Sequence, residues 1–188
     1  MNEIFLSDDL AIQNGNERIC FRHPGDDALC IKVTKKGRVH RLQNKVEKFY
    51  YELLIQKNTP FDYIAKYYGP VNTNYGVGLV FERVCNDDLS LSKSISESIS
   101  LGLIDESEAK EILNNIYQYL YNNGIYLGDL NQDQILLARK SGVYVPKIID
   151  GLGTRRYGFK LLVLTRFKFI ARRKLKKNWP VLIKKIFS

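Results

Sequence analysis

Cysteines and long apolar runs are both scarce in this chain of 188 residues. The three cysteines, at positions 20, 30 and 85, are odd in number and show no CxxC spacing. This argues against a disulfide framework or a zinc site and suits a reducing compartment. No window of about 18 uncharged apolar residues occurs, so we expect no transmembrane segment. The first ten residues lack the basic start and apolar stretch of a signal peptide. We therefore expect a cytoplasmic protein.

Acidic residues are missing from the C-terminal part of the chain. Residues 151–188 contain 12 Lys and Arg and no Asp or Glu, whereas residues 1–150 contain 17 basic and 20 acidic residues, a net charge of −3. The formal net charge of +9 therefore comes from this tail. The net charge of the whole chain carries no information about the partners of residues 1–150.

The first half of the chain shows the pattern of short strands around a single helix. Turn signals such as Asn14-Gly15-Asn16 separate short apolar stretches, which indicate strands. Apolar residues at three- and four-residue spacing indicate one helix over residues 40–57. The five strands predicted lie at residues 8–13, 17–23, 28–34, 67–73 and 77–84.

The second half is mainly helical in pattern. Asp105, with Glu108 three residues later, predicts the start of a helix. That helix should end near Asn123, because Gly124 suits the position that follows a helix. Five strands with a single helix after the third therefore precede a mainly helical half. This order indicates an α+β fold rather than alternating βαβ units. Two further short strands are expected, at residues 135–137 and 146–149.

Lys32 interrupts a predicted apolar strand, between Ile31 and Val33. A lysine at such a position either points to solvent from an edge strand or is buried against a carboxylate. The next helix offers Glu47, which lies beside its apolar stripe, and Glu52, which is better explained as a surface charge. Lys32 paired with Glu47 would be an ammonium group suited to binding phosphate.

Two aspartates lie next to glycines and short apolar stretches, Asp129 after Gly128 and Asp150 before Gly151. A single loop aspartate is usually a turn or cap residue, but a hairpin between these two brings both carboxylates to one end. One could accept a proton from an incoming hydroxyl group, and the other could hold Mg²⁺ on a nucleotide.

These motifs resemble those of kinases. Cys30-Ile31-Lys32-Val33 resembles the strand-three lysine motif, and Glu47 matches the helix glutamate paired with it. The segment GDLNQDQIL, residues 128–136, is similar to the catalytic loop of small-molecule kinases such as aminoglycoside and choline kinases. Ile149-Asp150-Gly151 stands where kinases have the metal-binding Asp-Phe-Gly motif.

From about residue 8 to 155 the chain also resembles one bacterial family of small kinase-like proteins, named for the PhoP regulatory network. The order and spacing of several short stretches carry this resemblance. Besides the Lys32 motif and Glu47 with Tyr50-Tyr51, they are Gly15–Arg18, His23-Pro24, Tyr68–Asn74 and Gly76–Phe81.

The resemblance implies a protein-kinase-like fold with a five-stranded antiparallel N-lobe that contains one helix, over residues 1–85. A reduced, mainly helical C-lobe with the catalytic loop would follow over residues 86–155. The basic and apolar pattern of the remaining residues, 156–188, independently predicts a basic amphipathic tail helix. The resemblance also implies ATP and Mg²⁺ as cofactors. The implied site residues are Asp129 and Lys32 for catalysis, Lys32, Glu47, Gly15, Glu82 and Val84 for the nucleotide, and Asp150 and Gln134 for the metal.

Departures from the kinase pattern leave two functions open. Gln13 replaces the first glycine of the Gly-x-Gly pattern, and Gln134 replaces the catalytic-loop asparagine. An active kinase would transfer the γ-phosphoryl group of ATP to a hydroxyl group of a lipopolysaccharide sugar or of a protein Ser or Thr. The alternative is a pseudokinase that acts as a nucleotide-dependent regulatory binding module.

The basic tail allows three interpretations: a helix packed on the domain, a peripheral segment on the anionic inner membrane face, or a nucleic-acid-binding segment. Nucleic acid has the least support, because no recognition motif is visible. We expect basic side chains, Arg166, Arg172, Arg173, Lys174 and Lys177, to lie largely away from one apolar helical stripe. The stripe consists of Leu161, Leu164, Phe167, Ile170 and Leu175.

Overall fold

The computed structural model describes residues 3–37, 42–154, 161, 164 and 166–187 of the chain. These residues form eight strands and four α-helices. The strands are β1 (Ala11–Asn14), β2 (Arg18–His23), β3 (Asp26–Thr34), β4 (Tyr67–Thr73), β5 (Gly76–Glu82), β6 (Lys93–Ser94), β7 (Ile135–Lys140) and β8 (Val143–Ile148). The helices are α1 (Gln43–Gln56), α2 (Ile95–Ser100), α3 (Glu106–Asn123) and α4 (Lys168–Ile186).

An antiparallel sheet of five strands, in the order β1-β2-β3-β5-β4, forms the first half of the fold. The α+β class and the five-stranded sheet with one helix after its third strand are therefore confirmed. The first predicted strand begins too early, because Asp8–Leu10 form a 3₁₀ turn and β1 starts at Ala11.

Helix α1 packs on this sheet. It buries Val46, Glu47, Tyr50, Tyr51 and Leu54, which repeat at three- and four-residue spacing. The predicted helix began at residue 40. Residues 40 and 41 lie outside the described part of the chain, and α1 itself begins at residue 43.

The second half combines helices with a small sheet of order β6-β7-β8. Helix α3 begins where the sequence predicts, because the backbone N–H of Glu108 donates to Asp105 Oδ1 at 2.8 Å. It ends at Gly124, whose φ of 65° is left-handed. Strand β8 is longer than predicted and includes Pro146, which an edge strand tolerates because its missing N–H faces away from the sheet.

Helix α4 packs against α3 and places part of the basic tail on the domain. It buries Ala171, Leu175, Leu182 and Ile186 in the same core that contains residues of α1 and α3. One core therefore runs through the three predicted segments. The described helices include none that is long and apolar enough to span a membrane.

The predicted division of the tail into apolar and basic faces is partly wrong. Phe167 precedes α4 and is 47 % exposed instead of lying on the buried stripe. Arg172 and Lys174 face the domain instead of solvent, because each donates to backbone carbonyls. Arg172 Nε contacts Tyr121 O at 2.9 Å, and Lys174 Nζ contacts Gly128 O at 3.1 Å.

Candidate functional site

A cleft of about 1320 Å³ separates the five-stranded sheet from the β7–β8 hairpin. Strands β1, β2, β3 and β5 contribute its upper wall. The loop before β7 and the segment after β8 contribute its lower wall. All eight residues predicted for the site lie in or next to this cleft. Seven line it directly: Gly15, Lys32, Glu82, Val84, Asp129, Gln134 and Asp150, while Glu47 contacts Lys32 from behind.

Lys32 is buried, with 8 % of its surface exposed, and it points into the cleft from the middle of β3. Its Nζ atom donates to Glu47 Oε1 at 3.1 Å and to the carbonyl of Ile149 at 2.7 Å. It also lies 4.4 Å from the centre of the Phe81 ring, a cation–π contact. The edge-strand alternative is therefore wrong, and the predicted pairing of Lys32 with Glu47 is present.

Arg18 is a second cation of the cleft, and the sequence interpretation did not select it. Its Nη1 group donates to Glu47 Oε2, and its Nη2 group donates to Asp150 Oδ2 at 2.8 Å. The side chain is 12 % exposed. Glu47 is therefore shared by two cations, and Arg18 connects it to Asp150.

The charges of this cluster fix its ionisation states. Burial disfavours the charged form of Asp150, but the positive charges of Lys32 and Arg18 and a hydrogen bond from Gly151 N–H outweigh it, and the pKa falls to about 2. Burial likewise opposes the charges of Arg18 and Lys32, but the carboxylates of Glu47 and Asp150 raise the pKa of both above its ordinary value. The cluster holds two cations and two anions.

Three glycines allow the catalytic-loop segment to lie directly against the segment after Asp150. The N–H groups of Gly128 and Asp129 both donate to Gly151 O, at 2.9 and 3.3 Å. A side chain at Gly128 would collide with the carbonyl of Gly153, and one at Gly151 would meet Asp129 O at 2.6 Å. Gly128 is therefore required by packing, and this packing brings Asp129 and Asp150 to the same end of the cleft, as predicted.

The side-chain oxygens of Asp150 and Gln134, which are predicted to bind a metal, already accept hydrogen bonds within the protein. Asp150 Oδ1 accepts from Gly151 N–H at 2.7 Å, and its Oδ2 accepts from Arg18. Gln134 Oε1 accepts from Asn131 N–H at 2.8 Å, where it caps a 3₁₀ turn. Among the described residues, no group of three or more His, Cys, Asp or Glu could hold a metal ion. This arrangement does not fit a magnesium ion, and the metal role of both residues stays a prediction.

The opposite end of the cleft is apolar. Val84 is buried with Ala65 and Ala138, and Leu136 and Ile149 pack against them. Ile12 and Cys20 line the cleft from β1 and β2. Glu82 lies at the end of β5, where its N–H is bonded to Lys66 O and its carbonyl accepts from the Cys30 thiol. The cleft therefore has apolar side chains beside the Glu82–Val84 segment.

The position of Arg18 relative to the kinase Gly-rich loop could have identified it from the sequence. Kinases that carry a Gly-rich loop have the pattern Gly-x-Gly-x-x-Gly. With its first two glycines aligned to Gln13 and Gly15, the third falls on Arg18. A long cation where a residue without a side chain is expected marks a place where the cleft departs from the kinase pattern.

The family model described as PhoP regulatory network protein YrbL matches residues 4–187. The chain belongs to the YrbL family. The resemblance seen in the sequence is thereby confirmed, and it extends through α4, beyond the segment of residues 8–155 on which it was first recognised.

Two curated relatives agree with the YrbL assignment. YrbL of Escherichia coli (strain K12) and YrbL of Shigella flexneri are each 27 % identical to this chain over 154 residues, which cover 80 % of this chain and 73 % of each relative.

A solved structure agrees with the kinase-like fold of this YrbL-family chain. The crystal structure of Rad53 1-466 in complex with AMP-PNP aligns with a TM-score of 0.55 at 20 % identity. The alignment covers 80 % of this chain and 39 % of the Rad53 chain. At this identity the likeness shows the fold, which is that of a protein kinase, and the predicted fold class is confirmed.

Proposed function

We propose that the cleft binds ATP and that the protein transfers the γ-phosphoryl group to a hydroxyl acceptor. The observation that carries this proposal is the arrangement at one end of the cleft, where buried Lys32 is paired with Glu47 beside Asp129 and Asp150. A buried, carboxylate-held ammonium group suits a phosphate chain. The apolar end beside Glu82 and Val84 suits a purine ring.

Asp129 is the residue proposed to act on the acceptor. Its side chain is exposed, lines the cleft and stands on the loop fixed by the two hydrogen bonds to Gly151 O. A carboxylate in this place can orient an acceptor hydroxyl group and take its proton. The acceptor is proposed to be a lipopolysaccharide sugar or a protein Ser or Thr.

A second function has support from a specific observation. Arg18 holds Asp150, and Gln134 caps a turn, so neither side chain is arranged as a kinase metal ligand. A protein that binds ATP and changes a partner's behaviour without transferring phosphate would tolerate this arrangement. Such a regulatory binding module is the pseudokinase alternative.

Nucleotide binding and turnover separate the two functions. The first function predicts a rise in melting temperature with ATP and phosphate transfer from labelled ATP into membrane or soluble extracts. Asp129→Asn should keep the thermal shift and lose the transfer, while Asp62→Asn, an exposed residue outside the cleft, should keep both. A thermal shift without transfer in any fraction supports the regulatory module. The absence of any shift contradicts both functions.

The outer face of α4 favours a place at the cytoplasmic face of the inner membrane. Its inner face is covered by the domain, whereas exposed Phe167 and Phe169 stand near its start among basic side chains. Basic side chains near an anionic lipid surface contribute roughly 1 kcal/mol each. A kinase held there would meet lipid-linked sugar acceptors. The exposed basic residues are Arg166, Lys168, Arg173, Lys176, Lys177, Lys184 and Lys185.

A further inference from the structure

Arg18 occupies the space between two carboxylates at the phosphate end of the cleft. One side of its guanidinium contacts Glu47, which α1 contributes, and the other contacts Asp150, which follows β8. The site thus has a fixed positive charge directly beside the carboxylate that is expected to hold a divalent cation.

We propose that Arg18 takes the place of the divalent metal beside Asp150, so that the cleft binds nucleotide phosphates through Arg18 and Lys32 without a metal ion. This inference rests on the proposed binding of ATP. It assigns Arg18 as a nucleotide-binding residue and makes independence from divalent metal a property of this chain.

The donor capacity of Arg18 supports this role. A guanidinium carries five N–H groups in a rigid planar fork that matches phosphate geometry. The contacts with Glu47 and Asp150 use one N–H group each from Nη1 and Nη2, and the side chain lines the cleft. Donors therefore remain for phosphate oxygens while both carboxylates stay paired.

The charge of the cluster supports it as well. Arg18 lies beside Asp150 and Lys32 beside Glu47, so each of these two carboxylates already has a cation next to it. Two cations that face a phosphate chain supply the same number of positive charges as one magnesium ion. Arginine side chains stabilise the charge of transferring phosphoryl groups in other enzymes, there together with a metal ion.

A metal ion would have to compete with existing contacts to bind. Mg²⁺ demands near-octahedral oxygen ligands and gives up its water reluctantly. At Asp150 Oδ2 it would meet the positive charge of Arg18, whose guanidinium is largely buried and already donates to this oxygen. To use Gln134 Oε1 it would compete with the N–H of Asn131. Loss of the contact between Arg18 and Asp150 would cost free energy, because the Arg18 side chain is largely buried.

Binding of ATP measured by calorimetry, in EDTA and in excess Mg²⁺, tests the proposal. The wild type should bind with similar affinity in both. Arg18→Met should weaken binding in EDTA by about tenfold or more, because a charge-assisted contact to phosphate is lost. The matched control is Arg22→Met on the same strand, which removes an exposed arginine paired with Asp27 and should bind like the wild type.

A gain of Mn²⁺ binding by Arg18→Met would show that its weaker ATP binding is not caused by misfolding. Titration with Mn²⁺ alone should show no site in the wild type, a site in Arg18→Met, and no site in Arg18→Met/Asp150→Asn. Misfolding does not create a metal site that depends on one carboxylate. Where Arg18→Met does not fold, Arg18→Lys retains the charge but loses the planar fork, and it should bind ATP in EDTA more weakly than the wild type does.

Three outcomes overturn the proposal. Wild-type binding of ATP only in Mg²⁺ removes the metal-independent role while leaving the proposed function intact. Unchanged affinity of Arg18→Met in EDTA leaves Arg18 as a residue that only positions Glu47. The absence of ATP binding in both conditions overturns the proposed function together with the inference built on it.

Discussion

At the scale of single residues, Glu47 is the carboxylate that both buried cations share. It is 5 % exposed and accepts from Lys32 and from Arg18. Glu47→Gln should lower the free energy of unfolding by about 3 kcal/mol, because it breaks a buried ion pair. This value is at the lower end of the usual range, since Asp150 still attracts both cations. Urea unfolding measures the change.

Glu52→Gln is the matched control on the same helix. Glu52 faces Lys48 at 3.8 Å, and both side chains are nearly half exposed, so its loss should change stability by about 0.5 kcal/mol or less. Equal destabilisation by the two substitutions would show that Glu47 does not hold the cluster.

Gly128 also has a residue-scale role, because it leaves room for the carbonyl of Gly153. Gly128→Ala should destabilise the protein by about 1–3 kcal/mol, because the added methyl group forces the two segments apart. The control is Gly25→Ala, where a new Cβ would lie 3.6 Å from the His23 ring, an ordinary contact. Thermal unfolding compares the two. A harmless Gly128→Ala would contradict the close approach.

The sequence predicted those site residues whose roles follow from local pattern. A lysine inside an apolar strand and a glutamate beside an apolar helical stripe are visible without a structure, and Lys32 and Glu47 do meet. The contact of Arg18 with Asp150 spans 132 positions and depends on how two halves of the chain meet. The capping role of Gln134 depends on backbone geometry, which its side chain alone does not indicate.

At the scale of elements, helix α1 and the catalytic-loop segment are joined by Tyr50. The N–H of Tyr126 donates to the Tyr50 hydroxyl oxygen at 2.6 Å, and both groups are buried. Burial raises the pKa of Tyr50 above its ordinary value. Burial is also the main cause of the raised pKa of Tyr51, Tyr67 and Tyr119. For Tyr67 it reaches about 12.

These tyrosines predict a loss of stability at alkaline pH. A raised pKa means that the folded state favours the neutral phenol, so this contribution is complete below the ordinary tyrosine pKa of about 10 and is lost as pH rises through the folded values. Absorbance at 295 nm should show that the buried Tyr50, Tyr51 and Tyr119 ionise only with unfolding and that the half-buried Tyr67 ionises near pH 12. A single titration of all tyrosines near pH 10 in the folded protein would contradict this.

Element boundaries were predictable where side chains decide them. Asp105 and Gly124 mark the ends of α3 because a cap and a left-handed residue act locally. The inward face of α4 was not predictable from spacing alone. Arg172 and Lys174 extend along the domain surface to reach carbonyls of residues about 50 positions earlier, and spacing within the tail does not reveal those acceptors.

At the scale of the whole molecule, the basic tail forms part of the fold and still leaves an exposed basic face. Vesicles with anionic lipid should therefore bind the protein at low salt and release it at high salt, and neutral vesicles should not bind it. Lys176→Glu/Lys177→Glu reverses two charges of that face and should weaken binding. Lys110→Glu/Lys140→Glu makes the same change in net charge outside α4 and should weaken it less.

Equal binding to neutral and anionic vesicles, or an equal effect of the two double variants, would contradict the electrostatic account. The charge asymmetry of the chain was visible in the sequence. The continuous core through α1, α3 and α4 was not, because it depends on contacts between distant segments.

The central claim is that the cleft around Lys32 is a nucleotide site, and equilibrium titration with ATP tests it most directly. The account predicts one saturable site per chain in the wild type. Affinity should fall by about tenfold or more in Lys32→Met, because a buried cation that faces the phosphates is lost. It should be unchanged in Lys93→Met, which alters an exposed lysine. No saturable binding, or equal affinity in all three folded proteins, would contradict the claim.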